Sequence, residues 1–216
     1  MTRAVIFDLD GTLINSLPGI ASSLNRVLKS HTLPTHEEKV VRTFIGDGIA
    51  KLVQRAVPND YPEADLQNLI QMMMDDYAAT WKEGSLPYDR VTETLQNLLH
   101  QKIGIAVFSN KPDIYCKEIT DALFPTIPFT KVLGQREGVP VKPDPTGAFD
   151  VASDLDLPIE SIAYLGDSTI DVHTAKNAGM LSIAASWGYH DLPALEATDP
   201  DHLIHSIEQL LPIISP

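Results

Sequence analysis

Ala4–Phe7 is wholly apolar, with no alternation of polar and apolar positions. Residues 103–108, 162–165 and Leu181–Ala185 share that character. Short continuous apolar runs suit strands of a parallel sheet that is covered on both faces. Each run ends in a polar or small residue and is followed by a helical pattern. Leu95, Leu98 and Leu99 share one face of a helix over 93–100, ahead of the second run. Thr169–Ala178 follows the third and stops at Gly179, as a helix closed by a C-terminal glycine would. Strands alternating with helices predict an α/β layer fold with a mainly parallel sheet sandwiched by helices.

The middle of the chain reads differently. From about Asn15 to Glu83 the signals are helical, with no convincing strand. Helices are predicted over 20–28, 37–45, 48–57 and 64–81, with breaks at Pro34, at Gly46 to Gly48 and at Pro58 to Pro62. A four-helix domain, 15–84, is thus expected as an insertion into a core made of 1–14 and 85–216. Met72, Met73 and Met74 cannot all face one way on a helix, and they read as bundle packing rather than a metal or cofactor site.

In open α/β sheets, ligands bind beyond the carboxyl ends of the strands. The polar residues just after the apolar runs should therefore converge. They are Asp8 and Asp10, Ser109 and Asn110, and Asp167 and Asp171, joined by Lys142 if the turn over 142–145 packs nearby. Carboxylates crowded at one site stay ionised together only around a cation. Oxygen ligands without His or Cys favour a hard ion, Mg²⁺ above all, with Asp8, Asp167 and Asp171 as candidate ligands. Asp167 and Asp171 stand four apart at a helix start, where the dipole also favours negative charge. Lys142 and the Ser109 hydroxyl offer a charge and a donor to phosphate oxygens. A carboxylate at Asp8 facing phosphorus is a plausible nucleophile. Asp10, two residues on, is placed to protonate a leaving oxygen and then to take a proton from water.

Composition narrows the classes. The chain has 216 residues, 44% of them hydrophobic, which suits one or two globular domains. A net charge of −13 repels phosphate backbones, so nucleic acid is not an expected partner. The single cysteine, Cys116, excludes an internal disulfide and a CxxC metal site, and it reads as a small core residue of a helix over Asp113–Leu123. Asp8 and Asp10 interrupt the N-terminal apolar run, so no signal peptide is read there. No stretch approaches the ~18–20 apolar residues of a membrane helix, and a cytoplasmic protein without membrane contact is expected. Gly46-Asp47-Gly48 lacks the third glycine of a dinucleotide fingerprint, and neither a P-loop nor a GxSxG elbow is present. The seven histidines are scattered without zinc spacing; His202 and His205 read as surface residues, and His173 as a weak site candidate.

On these motifs the chain resembles the haloacid dehalogenase superfamily, in its phosphoglycolate phosphatase-like branch. FDLDGTL (7–13), FSNKP (108–112), Lys142 in VKPDP and LGDSTIDV (165–172) resemble its four motifs, in order. The resemblance implies a Rossmann-like core with a cap of the type inserted after the first motif, because the gap from Ser109 to Lys142 is short. It implies Asp8 as nucleophile and Asp10 as general acid and base. Mg²⁺ would sit among Asp8, Asp167 and the Asp10 carbonyl. Thr12, Ser109, Asn110 and Lys142 would attend the phosphate, with Ser168 and Asp171 behind them, Asp171 holding water or Lys142. Haloacid dehalogenases lack an acid at the position of Asp10, so the resemblance points to phosphoryl transfer.

INSLPGI (14–20), RTFIGDG (42–48), SNKP and SWGYH (186–190) resemble the phosphoglycolate phosphatases more narrowly. Arg42, Gly46, Asp47 and Gly48 would form the specificity turn of the cap, which would close over the site on hinges near 15–18 and 84–88. Departures fall at Asn15, where Asp is usual, at Asp47 and His190, where Asn is common, and at 134–137. Asp47 adds a negative charge beside an anionic leaving group, which costs binding unless Arg42, Lys51 or Arg55 answers it. The expected function is a Mg²⁺-dependent phosphatase of a small phosphorylated metabolite, 2-phosphoglycolate first, acting as monomer or homodimer. A pyrophosphatase, a nucleotidase and a sugar-phosphate phosphatase or phosphomutase share the chemistry. The early-cap His of a mutase is missing from 15–29. A catalytically silent binding protein would have lost one of the motif residues, and all are present.

Overall fold

The computed structural model describes residues 2–214. The chain divides into two compact units, Met1–Ile14 with Pro87–Pro216, and Asn15–Leu86. In the first unit β1 (Ala4–Phe7), β4 (Gly104–Pro112), β5 (Lys131–Gln135), β6 (Ile162–Gly166), β7 (Leu181–Ala185) and β8 (His202–Ile204) form one sheet among the described residues. Its order is β5-β4-β1-β6-β7-β8, and every pairing is parallel. The architecture is therefore the parallel α/β layering expected from the apolar runs, and it is Rossmann-like, as the resemblance implied.

Register decides where the chemistry falls. Phe7 pairs with Val107 on one side and Leu165 on the other, so the end of β1 is level with these positions of its two neighbours. Asp8, Ser109 and Asp167 come just after these positions. The strands alternate between two covered faces. Ala4, Ile6, Ala106, Phe108, Ile162 and Tyr164 share one face with α7 (Thr146–Leu155) and α8 (Thr169–Ala178). Val5, Phe7, Val107 and Leu165, also fully buried, alternate onto the other.

Three features of the sheet depart from the pattern reading. β4 runs on through Ser109 to Pro112, with an irregular register between Phe108 and Pro112. Polar residues can extend a buried strand here because the site consumes their hydrogen bonds. β5 is an edge strand with Lys, Gly and Gln among five residues, and β8 has only three, so neither carries an apolar signature. Cys116 is fully buried in α6 (Asp113–Leu123), as a core residue should be. Among the described residues no helix is long and apolar enough to cross a membrane.

The chain passes to the second unit and back through the short strands β2 (Ile14–Asn15) and β3 (Leu86–Pro87). That unit holds α1 (Leu17–Ser30), α2 (Glu38–Arg42), α3 (Ile49–Ala56) and α4 (Glu63–Thr80). α1 starts earlier than its apolar pattern, because Pro18 is tolerated in a first turn whose N–H groups have no helical partner. Leu24, Leu28, Val53, Leu69, Met73 and Tyr77 are buried in its core. Of the three consecutive methionines only Met73 is buried. Arg26 Nη2 lies 2.6 Å from Asp76, which also accepts from Ser23 Oγ at 2.5 Å, tying α1 to α4.

Candidate active site

Asp8 enters the site directly from β1, anchored by its own N–H, which donates to the Leu165 carbonyl at 2.9 Å. Lys142 Nζ lies 3.0 Å from Asp8 Oδ1 and 2.6 Å from Asp171 Oδ1. Its side chain is 2% exposed, and the Tyr164 and Phe108 rings flank the ammonium. Asp171 is placed by the start of α8. Ser168 caps that helix, its N–H and hydroxyl donate to Asp171 Oδ2 at 3.0 and 2.6 Å, and Asp171 N–H returns a bond to the hydroxyl. This reciprocal box satisfies two end donors and fixes the carboxylate. Asp167, from the end of β6, accepts from Thr12 Oγ1 and from Tyr189 N–H.

Asp8, Asp167 and Asp171 each offer a carboxylate oxygen within 4.8 Å of the others, all buried. Burial pushes Asp8 up to about 6, against the pull of Lys142, while Asp171 adds to the rise. Burial pushes Asp167 well above the ordinary carboxylate range, and Asp171 and Asp8 push it the same way. Burial opposes the charge of Lys142, but Asp171 and Asp8 overbalance it and hold its ammonium above the usual range. Asp8 Oδ1 is buried, and its partner is the Lys142 ammonium at 3.0 Å. The oxygen-only donor set, three buried carboxylates against one ammonium, fits a hard divalent cation. Asp171 Oδ1 is paired with the Lys142 ammonium at 2.6 Å, whereas Asp167 accepts from the neutral Thr12 hydroxyl and Tyr189 N–H, so Asp167 is a better cation ligand than Asp171.

The carboxylates need room. Gly11 has φ +81°, a conformation that favours glycine, and a Cβ there would run into the Asp167 carboxylate. A Cβ on Gly188 would strike the same group from the other side. The segment around Gly188 stitches the site together. Trp187 Nε1 donates to the Thr12 carbonyl at 3.1 Å, Tyr189 N–H to Asp167 at 2.6 Å, and the Thr169 N–H to His190 Nδ1 at 3.3 Å.

Asp8, Lys142, Asp167, Ser168 and Asp171 thus come together, and Ser109 bonds to the Asp8 side chain; the strand-end reading named all of these but Ser168, Lys142 on condition that its turn packed nearby. The Thr12 and Asn110 side chains are bonded within the chain. The Thr12 hydroxyl goes to Asp167 at 3.2 Å. The Asn110 amide clasps the backbone of Lys142, accepting from its N–H at 2.8 Å and donating to its carbonyl at 3.2 Å. Sequence reasoning missed Lys111, whose ammonium donates to both Asp10 oxygens, and Tyr189, which acts through its backbone. The signal for Lys111 was its place two residues after Ser109; Tyr189 left none. His173 is exposed. Arg42, Gly46, Asp47 and Gly48 belong to the second unit, where Arg55 pairs with Asp47 and so answers its extra charge.

Fold and site together define a Rossmann-like α/β enzyme built around a buried acidic cluster at the carboxyl edge of its sheet. The family model of the haloacid dehalogenase-like hydrolases matches residues 5–185. The phosphoglycolate phosphatase of Pectobacterium atrosepticum is 33% identical over 215 residues, covering 98% of this chain and 92% of that protein. That of Escherichia coli K12 is 29% identical over 232 residues, with the same coverage. A crystal structure described as a predicted phosphoglycolate phosphatase from Haemophilus somnus superposes with a TM-score of 0.92 at 30% identity, covering 98% of this chain and 97% of the other. The chain belongs to the haloacid dehalogenase-like hydrolases.

Proposed function

We propose that the chain hydrolyses a small phosphomonoester, with 2-phosphoglycolate the leading substrate, through an aspartyl-phosphate on Asp8 and with Mg²⁺ as cofactor. The observation that carries the reading is the buried line Asp8–Lys142–Asp171 beside Asp167, three carboxylates crowded against one ammonium. The phosphoglycolate phosphatases of Pectobacterium and Escherichia support the choice of substrate. Asp8, Asp167 and the Asp10 carbonyl would hold Mg²⁺, which when bound offsets the carboxylate charge and polarises a phosphate oxygen.

An Asp8 oxygen attacks phosphorus, and the bond from phosphorus to the leaving alcohol oxygen breaks as Asp10 gives that oxygen a proton. Asp10, now a carboxylate, takes a proton from water as the water oxygen attacks the same phosphorus. The bond to Asp8 breaks, releasing phosphate. Lys142, held charged by its two aspartates, and the Ser109 hydroxyl stabilise the charge on the phosphoryl oxygens. The reading also takes the chain as a cytoplasmic enzyme, monomeric or homodimeric, with no nucleic-acid or membrane partner.

The test is kcat/KM in Mg²⁺ for 2-phosphoglycolate beside pyrophosphate, nucleoside monophosphates, sugar phosphates and p-nitrophenyl phosphate. A preference for 2-phosphoglycolate of ~100-fold, about 2.7 kcal/mol at the transition state, is expected. A higher value on another ester overturns the substrate and leaves the chemistry; no turnover on any of them overturns both.

A further inference from the structure

We infer that Lys111 is a positioning residue for Asp10, fixing the carboxylate that handles the leaving-group proton. The inference rests on the phosphatase reading above. Lys111 Nζ donates to both Asp10 oxygens, at 3.1 and 3.0 Å. Its side chain is 4% exposed and that of Asp10 12%. A lysine ordinarily keeps its ammonium in water, and one buried this far is held there by its counter-charge. One ammonium bonded to both oxygens hinders rotation of the carboxylate, so Asp10 presents one orientation.

The lysine is itself anchored. Its N–H donates to Ser109 Oγ at 3.4 Å, and its carbonyl accepts from Cys116 Sγ at 3.5 Å. That carbonyl also packs closely on Gly134 of β5, where a Cβ would collide with it. The tail of β4 therefore delivers two residues to two different aspartates. Ser109 reaches Asp8, and Lys111 reaches Asp10. Lys142 serves Asp8 and Asp171. The two buried lysines divide the acidic groups between them, Lys142 at the nucleophile and Lys111 at the proton carrier.

A residue that positions a general acid matters most where the leaving group needs a proton. An alkoxide must be protonated as it departs, whereas p-nitrophenolate is stable without one. The value of kcat/KM reports the steps through cleavage of the ester bond, before the shared hydrolysis of the aspartyl-phosphate. We would measure it in saturating Mg²⁺ for an alkyl phosphomonoester and for p-nitrophenyl phosphate, in the wild type, Asp10→Asn, Lys111→Met and Lys111→Arg.

Lys111→Met is expected to lose roughly 30-fold on the alkyl ester and at most about threefold on p-nitrophenyl phosphate. Lys111→Arg should recover most of the alkyl-ester rate. Because both substrates are read on one preparation, a misfolded fraction cancels from the ratio. Equal losses on both substrates, or no loss on either, overturn the role of Lys111 while Asp10→Asn still shows leaving-group dependence. A flat response in Asp10→Asn, or an inactive wild type, overturns the underlying reading and the inference with it.

Discussion

Asp8 shows what a reactive carboxylate costs a fold. It is buried beside Asp171, with the Lys142 ammonium as its counter-charge. Its pKa stands at about 6, above an unfolded value near 3.8. The folded chain therefore holds that proton more tightly than the unfolded chain. The contribution to stability is complete below pH 3.8 and is lost as pH rises through about 6. In EDTA at pH 7.5, Asp8→Asn should thus stabilise the protein by roughly 2–3 kcal/mol, raising Tm by roughly 4–10 °C. At pH 4 the two proteins should melt together, and Mg²⁺ at pH 7.5 should raise Tm of the wild type and not of the variant. Differential scanning calorimetry at the two pH values reads all three. Asp8, Asp10, Asp167 and Asp171 were legible in the sequence because they follow apolar strands, whereas Lys142 was legible through its motif, since the strand before it, β5, carries no apolar signal. Gly188 and Tyr189 were not: one acts by lacking a Cβ, the other through its N–H, and neither leaves a side-chain signature.

At the scale of elements, the site hangs on two segments that no periodicity announces. The tail of β4 carries Ser109 to Lys111 as a polar extension of an apolar strand. The other segment, residues 186–190, ties the first loop, Asp167 and α8 to one another through Trp187, Tyr189 and His190. Asn110 shows what the β4 tail does beyond chemistry. Its amide holds the backbone of Lys142 by both edges, as a neighbouring strand would. Asn110→Ala should cost about 1 kcal/mol per lost bond in unfolding free energy. It should lower kcat/KM roughly 10–100-fold, since a misplaced lysine no longer faces Asp8. Urea unfolding and steady-state kinetics on the same sample measure the two effects, and full activity would leave Asn110 without that role. The central strands were legible as continuous apolar runs. The edge strands β5 and β8 were not, because edge strands are short and half-solvated, and their residues carry little apolar signal.

Across the whole molecule, topology does what no local segment can. A parallel sheet ordered β5-β4-β1-β6-β7-β8 puts β1 between β4 and β6, so residues from three distant stretches end on one edge. The helical second unit enters and leaves the chain immediately after the first of those stretches, and leaves β1 in register with both neighbours. That insertion was readable as a change of period, from apolar runs to helical spacing, although its helices begin and end a few residues from their apolar patterns. The net charge of −13 disfavours anionic polymers, and under the proposed function Lys142 and a bound cation would meet the phosphate. The central claim is that this one acidic edge, with Asp8 as nucleophile and a divalent metal, performs the hydrolysis. It is tested most directly by phosphate release from 2-phosphoglycolate in four arms: wild type and Asp8→Asn, each in Mg²⁺ and in EDTA. The account predicts turnover in the wild type with Mg²⁺, and a fall of at least about 1,000-fold in each of the other three. Turnover that survives either EDTA or Asp8→Asn would contradict it.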